Sequence, residues 1–143
     1  MDMSQPVSNL MSVHVHGVAP DEPLELIHEI LTDVHYHHLL VEENERLIGI
    51  ISDRDVLSSL CPHIGTDHES EADHSLLALS AQDIMTKDPI TISPHQSLSD
   101  AAGILLKHEI SILPVVDASN VVVGILSWKD ILRAEIKPDD LPH

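Results

Sequence analysis

The chain repeats itself, and a repeat settles the architecture before any single element is assigned, because each copy must fold alike and bury the same face. A shift of 74 residues sets Asn9, Leu10 and Met11 on Asp83, Ile84 and Met85, Pro20 on Pro94, Leu24 on Leu98, and Ile30 and Leu31 on Ile104 and Leu105. Five of those seven positions are identical. With one extra residue in the second copy, a shift of 75 carries Val41 onto Val116 and GIISDRDVL (49–57) onto GILSWKDIL (124–132), where Gly, Ile, Ser, Asp and Leu recur in register. The chain therefore divides into a first copy (1–60), a connecting segment (61–82), a second copy (83–136) and a tail (137–143).

Both copies carry the same order of patterns. Leu24, Ile27, Ile30 and Leu31 fall at helical spacing behind Pro20, Asp21 and Pro23, and Leu98, Ala101, Ile104 and Leu105 do so behind Ser97. HLLVEE and RLIGIIS, like ILPVVD and VVVGILS, are short aliphatic runs separated by polar turn residues, the pattern of a strand pair. Ser52 and Ser127 end the second strand of each pair at an N-cap position, with Asp55 and Asp130 three residues on. A run around Val15 to Val18, and PITIS (89–93), supply a further strand, and SLLALSAQDIM (75–85) reads as a helix leading into the second copy. The fold class is mixed α/β (α+β): two pseudo-symmetric repeats, each strand-helix-strand-strand-helix, packed through their sheets.

Charge limits the partners. Acidic side chains number 24 against 7 basic ones, and aromatics are confined to Tyr36 and Trp128. Phosphate backbones need clustered Lys and Arg, and single strands need stacking faces, so nucleic acid is excluded as a partner. The same field opposes an anionic bilayer. Cys61 is alone, the start lacks the basic flank and apolar run of a signal peptide, and no stretch approaches the ~20 apolar residues that span a bilayer. A cytoplasmic protein is expected. The net charge of −17 is conditional, since twelve histidines, each gaining one proton, would bring it to −5.

A serine ending a strand and an aspartate one turn into the next helix place a hydroxyl and a carboxylate together. The carboxylate can accept from both hydroxyls of a ribose while first-turn N–H groups meet a phosphate. Equally, the pair can be a capping box with Asp in place of the usual Glu or Gln. Duplication does not separate these alternatives, because a cap would be duplicated as well.

MTKDPITISPHQSLSDAAGILLKHEISILPVVDASNVVVGILSWKDIL resembles a CBS domain, the module named after cystathionine beta-synthase, and the stretch from NLMS to RDVL resembles its degenerate partner. DIM, the SP before the helix, LPVVD and GxxSxxD occur in family order and spacing. The resemblance implies a pseudo-symmetric pair with two clefts between the copies, a homodimer, and a regulatory module acting on a protein effector. It also implies an adenosine ligand: AMP, ADP, ATP or S-adenosylmethionine, with Mg²⁺ as an accompanying ion. The implied ribose positions are Ser52 and Asp55, and Ser127 and Asp130. The implied base positions are Ile112, Leu113 and Pro114 with Ile90 and Thr91, and in the first copy Tyr36, His37 and His38 with His16. Ser111 and Ile112 stand where the family often has a phosphate-binding basic residue, which leaves Arg54, Lys129 and Lys87 as basic candidates. Leu39 stands in place of Pro114. Because residues 1–72 carry two basic and 14 acidic side chains against five and 10 in 73–143, the site at Ser127 and Asp130 is the better one for an anion. Histidines, His37 first, would strengthen nucleotide binding as pH falls from 8 to 6.

Two other classes follow from the residues. His35 and His37, and His14 and His16, alternate as on one strand face and could hold a transition metal, so a metal-ion or pH sensor is one alternative. A ligand-free dimerisation module is another. Enzyme chemistry has little to work with: Cys61, Pro62 and His63 begin a polar segment, and neither Ser52 nor Ser127 has a GxSxG context. The expected protein is not an enzyme.

Overall fold

A computed structural model describes residues 3–13, 15–32, 38–59 and 79–135. Of the residues singled out above, His14, His35, Tyr36, His37, Cys61 and 75–78 lie outside these ranges. Packing groups the chain into two units, one of His16–Pro89 and one combining Met1–Val15 with Ile90–His143.

The unit built on the first copy contains β1 (Gly17–Val18), α1 (Leu24–Leu31), β2 (His38–Glu43), β3 (Arg46–Ser52), α2 (Asp53–Ser59), α3 (Ala81–Ile84) and β4 (Thr86–Lys87). Its sheet runs β1-β2-β3-β4, with β1 parallel to β2 and the other neighbours antiparallel. Alternation in β3 buries Leu47, Gly49 and Ile51 and turns the residues between them outward. The core gathers Val18, Leu24, Ile27, Leu39, Val41, Ile51, Val56 and Ala81. Asn44 and Glu45, both at positive φ (54° and 68°), make the two-residue turn between β2 and β3. Just before it, Glu42 is pushed above the usual carboxylate range by burial, and then by the charge of Glu45.

The second unit contains a 3₁₀ turn (Val7–Asn9), α4 (Leu98–His108), β5 (Ile112–Val116), β6 (Val122–Ser127) and α5 (Trp128–Glu135). The β5–β6 hairpin is flanked by a parallel bridge from Ile92 to Val115 and an antiparallel one from Ser12 to Ile125. Its turn is longer, and the Asp117 carboxylate accepts from the N–H groups of Ser119 and Val121.

Three sequence expectations need correction. Residues 89–93 form one bridge at Ile92 rather than a strand, because its bonds to Pro114 and Val116 are not continued on either side. The helix expected over 75–85 is confined, within the described part, to Ala81–Ile84, because Ser80 is extended and caps it. The extra residue of the second copy lies in the hairpin turn rather than before Val41. Val41 pairs with Gly49 and Val115 with Gly124, so Val41 corresponds to Val115, Leu40 to Pro114 and His38 to Ile112.

Each copy's leading segment docks in the unit built on the other copy, and the same bonds recur at a shift of 74. The Val7 and Ser8 N–H groups donate to the Gln96 and Pro94 carbonyls (2.8 and 3.1 Å), as those of Ala81 and Gln82 do to Glu22 and Pro20 (2.8 and 2.9 Å). In return the first amide of α4, Leu98, donates to Gln5 (3.0 Å), and that of α1, Leu24, to Leu79 (2.7 Å). Each segment thus satisfies a helix-start N–H that has no partner within its own helix. Val7 and Ala81 are fully buried. The segment ends on a methionine laid across a strand glycine, Met85 on Gly49 and Met11 on Gly124; a Cβ on Gly124 would stand 2.6 Å from the Met11 sulfur and 3.0 Å from the Ser12 carbonyl.

Gly124→Val should therefore lower stability by about 1–3 kcal/mol through overpacking. Gly103→Ala, where a Cβ in α4 meets nothing within 4 Å, should raise it by about 0.5–1 kcal/mol. Urea denaturation of both variants checks the pair.

Candidate functional site

The two Ser-x-x-Asp motifs sit at strand-to-helix junctions. At the β6–α5 junction the Ser127 N–H donates to Asp130 Oδ2 (2.9 Å), the Ser127 hydroxyl lies 3.1 Å from the same oxygen, and the Asp130 N–H donates to Ser127 Oγ (3.3 Å). At the β3–α2 junction the Ser52 N–H donates to Asp55 Oδ2 (2.9 Å) and the Asp55 N–H to Ser52 Oγ (3.0 Å). These are reciprocal capping boxes, so the capping alternative is realised in both copies. A carboxylate has more acceptor positions than the box occupies.

The same box at Ser80 and Asp83 shows what the cap does elsewhere (2.8 Å from the Ser80 N–H, 3.0 Å from its hydroxyl). There the Ser80 N–H, and then its hydroxyl, hold the exposed Asp83 carboxyl below the usual range. A fourth serine, Ser97, caps α4 by accepting from the Asp100 N–H (3.1 Å). What distinguishes the Ser127 and Ser52 junctions is their setting, half-buried at the end of a paired strand.

Strand register supplies a wall residue for each junction. Ile112 lies directly across from Ser127, and His38 directly across from Ser52; cross-strand partners share a face of the sheet. The Trp128 N–H donates to the Ser111 carbonyl (3.2 Å), tying the start of α5 to the entry of β5. Lys129 and Arg54 occupy matching exposed places in the first turns of α5 and α2.

Other expected positions fall elsewhere. Leu113 is fully buried in the core, and Pro114 is buried beside it in β5. Ile90 is partly exposed, while Thr91 lines a cavity of about 410 Å³ with Ser93, His95, Gln96 and Asp117, a lining that contains neither Ser127 nor Asp130. His16 uses its carbonyl to accept from the Leu40 N–H, and Lys87 pairs with Gly49 on β4. Corrected for register, the first-copy counterparts of Ile112, Leu113 and Pro114 are His38, Leu39 and Leu40, with Leu39 and Leu40 buried. Among the described residues no three His, Cys, Asp or Glu side chains cluster to hold a metal, and no helix is long and apolar enough to cross a membrane.

One residue was missed from sequence. Arg133 Nη1 stands 3.9 Å from Asp130 Oδ1, a pair with Arg133 74% and Asp130 18% exposed. Its signal was the i,i+3 spacing on a helix whose face was already assigned. As a surface pair it adds only ~0–1 kcal/mol to stability; its interest is an exposed cation beside the Asp130 carboxylate.

A duplicated α/β unit with a half-buried hydroxyl and carboxylate at each strand-to-helix junction describes a class of paired-repeat α/β proteins. The chain belongs to the CBS domain family, whose sequence model matches residues 7–61 and 81–137. The chloroplastic CBS domain-containing protein CBSX2 of Arabidopsis thaliana is 27% identical over 142 residues, covering 87% of this chain and 60% of that protein. The crystal structure of CBSX2 in complex with AMP superposes with a TM-score of 0.77 at 28% identity, over 92% of this chain and 96% of that one. The CBS domain pair of protein MJ0100, in complex with 5′-methylthioadenosine and S-adenosyl-L-methionine, gives 0.74 at 25% identity, over 91% and 94%. Inosine-5′-monophosphate dehydrogenase of Nitrosopumilus maritimus is 37% identical over 93 residues, 65% of this chain and 16% of the enzyme. The chain thus spans less than two thirds of either curated relative.

Ser80→Ala should return the Asp83 carboxyl toward the ordinary aspartate range in an NMR pH titration. Because its folded pKa is depressed, the contribution of Asp83 to stability is present above the unfolded pKa and is lost as pH falls through the folded one. The pH dependence of unfolding should weaken accordingly in that acid window in the variant.

Proposed function

We propose that this chain is a regulatory module that binds an adenosine ligand, with the ribose held at Ser127 and Asp130. The observation that carries the reading is the half-buried box at the end of β6. Asp130 Oδ2 is held by Ser127, and Oδ1, whose cation neighbour is 3.9 Å away and exposed, is the oxygen that would accept from vicinal hydroxyls. Ile112, across from Ser127, offers an apolar wall for the base. The AMP complex of CBSX2, and the 5′-methylthioadenosine and S-adenosyl-L-methionine complex of MJ0100, support this ligand class. In this reading the chain is not an enzyme, works in the cytoplasm as a homodimer, and passes ligand occupancy to a protein effector; Mg²⁺ accompanies a di- or triphosphate.

Trp128, the one tryptophan of the sequence, adjoins Ser127 and reports the site by its fluorescence. Titration with AMP, ADP, ATP and S-adenosylmethionine, with and without Mg²⁺ and alongside calorimetry, should give saturable binding of at least one of them. At 100 times Kd that ligand should add about 2.7 kcal/mol to stability. Asp130→Ala should abolish binding while losing only about 1 kcal/mol of capping. No binding of any of the four at millimolar concentration would defeat the reading.

A further inference from the structure

The two copies differ at the end of the hairpin away from the Ser-x-x-Asp junctions. Both strand pairs shift register at the same place, between Val41 and Glu42 and between Val115 and Val116. Val18 pairs in parallel with Val41 as Ile92 does with Val115, so Gly17 corresponds to Thr91 and Glu42 to Val116. In the first copy the Glu42 carboxyl lies over Gly17, so close that a Cβ there would stand 2.9 Å from Glu42 Oε2. In the second copy that carboxyl is absent, Thr91 brings a hydroxyl, and both Thr91 and Val116 line the cavity of about 410 Å³. Its lining has changed with the loss. Four acidic places, Asp21, Glu22, Glu42 and Glu43, become His95, Gln96, Val116 and Asp117, and Ala19 becomes Ser93. Gln96 Oε1 accepts from the Ser93 N–H (3.0 Å), which leaves the side-chain NH₂ to donate. Ser93 Oγ accepts from the His95 N–H (3.3 Å), which leaves the hydroxyl proton to donate. Asp117 Oδ1 accepts from the Ser119 and Val121 N–H groups, and Oδ2 stands outside both bonds. The loop is fixed further by the Pro94 and Gln96 carbonyls, which accept from Ser8 and Val7. Donors therefore converge where the first copy supplies its own carboxyl, and a carboxylate stands with them. The cavity is a strand's length, about 13 Å, from Ser127, because Val116 and Ile112 are the two ends of β5.

We propose that this cavity binds a small zwitterion of the α-amino acid class, its carboxylate taken by Thr91, Ser93 and Gln96 and its ammonium by Asp117. The carboxylate would stand in for the one that Glu42 carries over Gly17 in the first copy. Asp117, which would repel a simple carboxylic acid, becomes a partner once the ligand carries an amine. The site is independent of the adenosine reading, since its lining contains neither Ser127 nor Asp130.

Amide NMR of the full chain, with each standard α-amino acid in turn as the probe, tests this. At least one should bind saturably, moving the amide signals of 91–96 and 116–118 and leaving those of Ser127 and Asp130 in place. The matching amine without the carboxyl, and the matching acid without the amine, should each bind at least about tenfold more weakly. Asp117→Asn keeps an Oδ1 for the turn and removes the charge, so it should weaken the amino acid about tenfold with the melting temperature unchanged. Val116→Glu, which restores the carboxyl of the first copy, should abolish binding. Asp130→Ala should leave it unchanged, so this site and the adenosine site succeed or fail separately. The proposal is overturned if no amino acid at about 10 mM moves the 91–96 signals, if the acid lacking an amine binds equally well, or if Asp117→Asn or Val116→Glu binds as the wild type does.

Discussion

The structure depends on the docking of each copy's leading segment in the unit built on the other copy. Two of its amides bind carbonyls ahead of a helix, a carbonyl receives the first amide of that helix, and its methionine covers a strand glycine. Remove the segment and the start of α1 or α4 loses a hydrogen-bond acceptor, the neighbouring core loses Ala81 or Val7, and the strand glycine is left uncovered. The glycine is required there because the sulfur lies where any side chain would begin. Neither unit is therefore complete without the leading segment of the other copy.

Upon that frame the Ser-x-x-Asp junction supports the fold, and under the proposed function it would also bind. The bonds that cap α2 and α5 use the serine Oγ and one carboxylate oxygen. A carboxylate has a second oxygen, so a cap can bind without being dismantled. The Ser80 box, exposed and at the start of a four-residue helix, shows that the motif alone decides nothing. The paired strand beside it, with Ile112 or His38 across from the serine, makes a junction into a candidate site.

Much of this was legible in the residues. HLLVEE and RLIGIIS are β2 and β3 to the residue, because each is a short aliphatic run and the polar turn between them sets where one ends and the other begins. Ser52, Ser97 and Ser127 begin helices where their spacing to aspartate says they should. The register of β2 against β5 was not legible: Val115 and Val116 match Val41 equally well, and only strand pairing decides between them. That one-residue choice moved the wall position from His37 to His38. The exchange of leading segments was invisible for a different reason. The likeness of Asn9–Met11 to Asp83–Met85 says that both segments pack alike, but not in which copy, since either choice buries the same residues. Arg133 needed a known position for Asp130 before its spacing meant anything.

The exchange also sets an order of events during synthesis. All segments of the unit His16–Pro89 have been made once residue 89 has emerged, and that unit can close while the rest of the second copy is still being translated. Residues 3–13, made before that unit, meet their partners around α4 and β6 only some ninety to one hundred and twenty residues later. Residues 3–13 thus find their place after the first unit can close, and a chain interrupted before β6 would carry one finished unit and one without its strand partner.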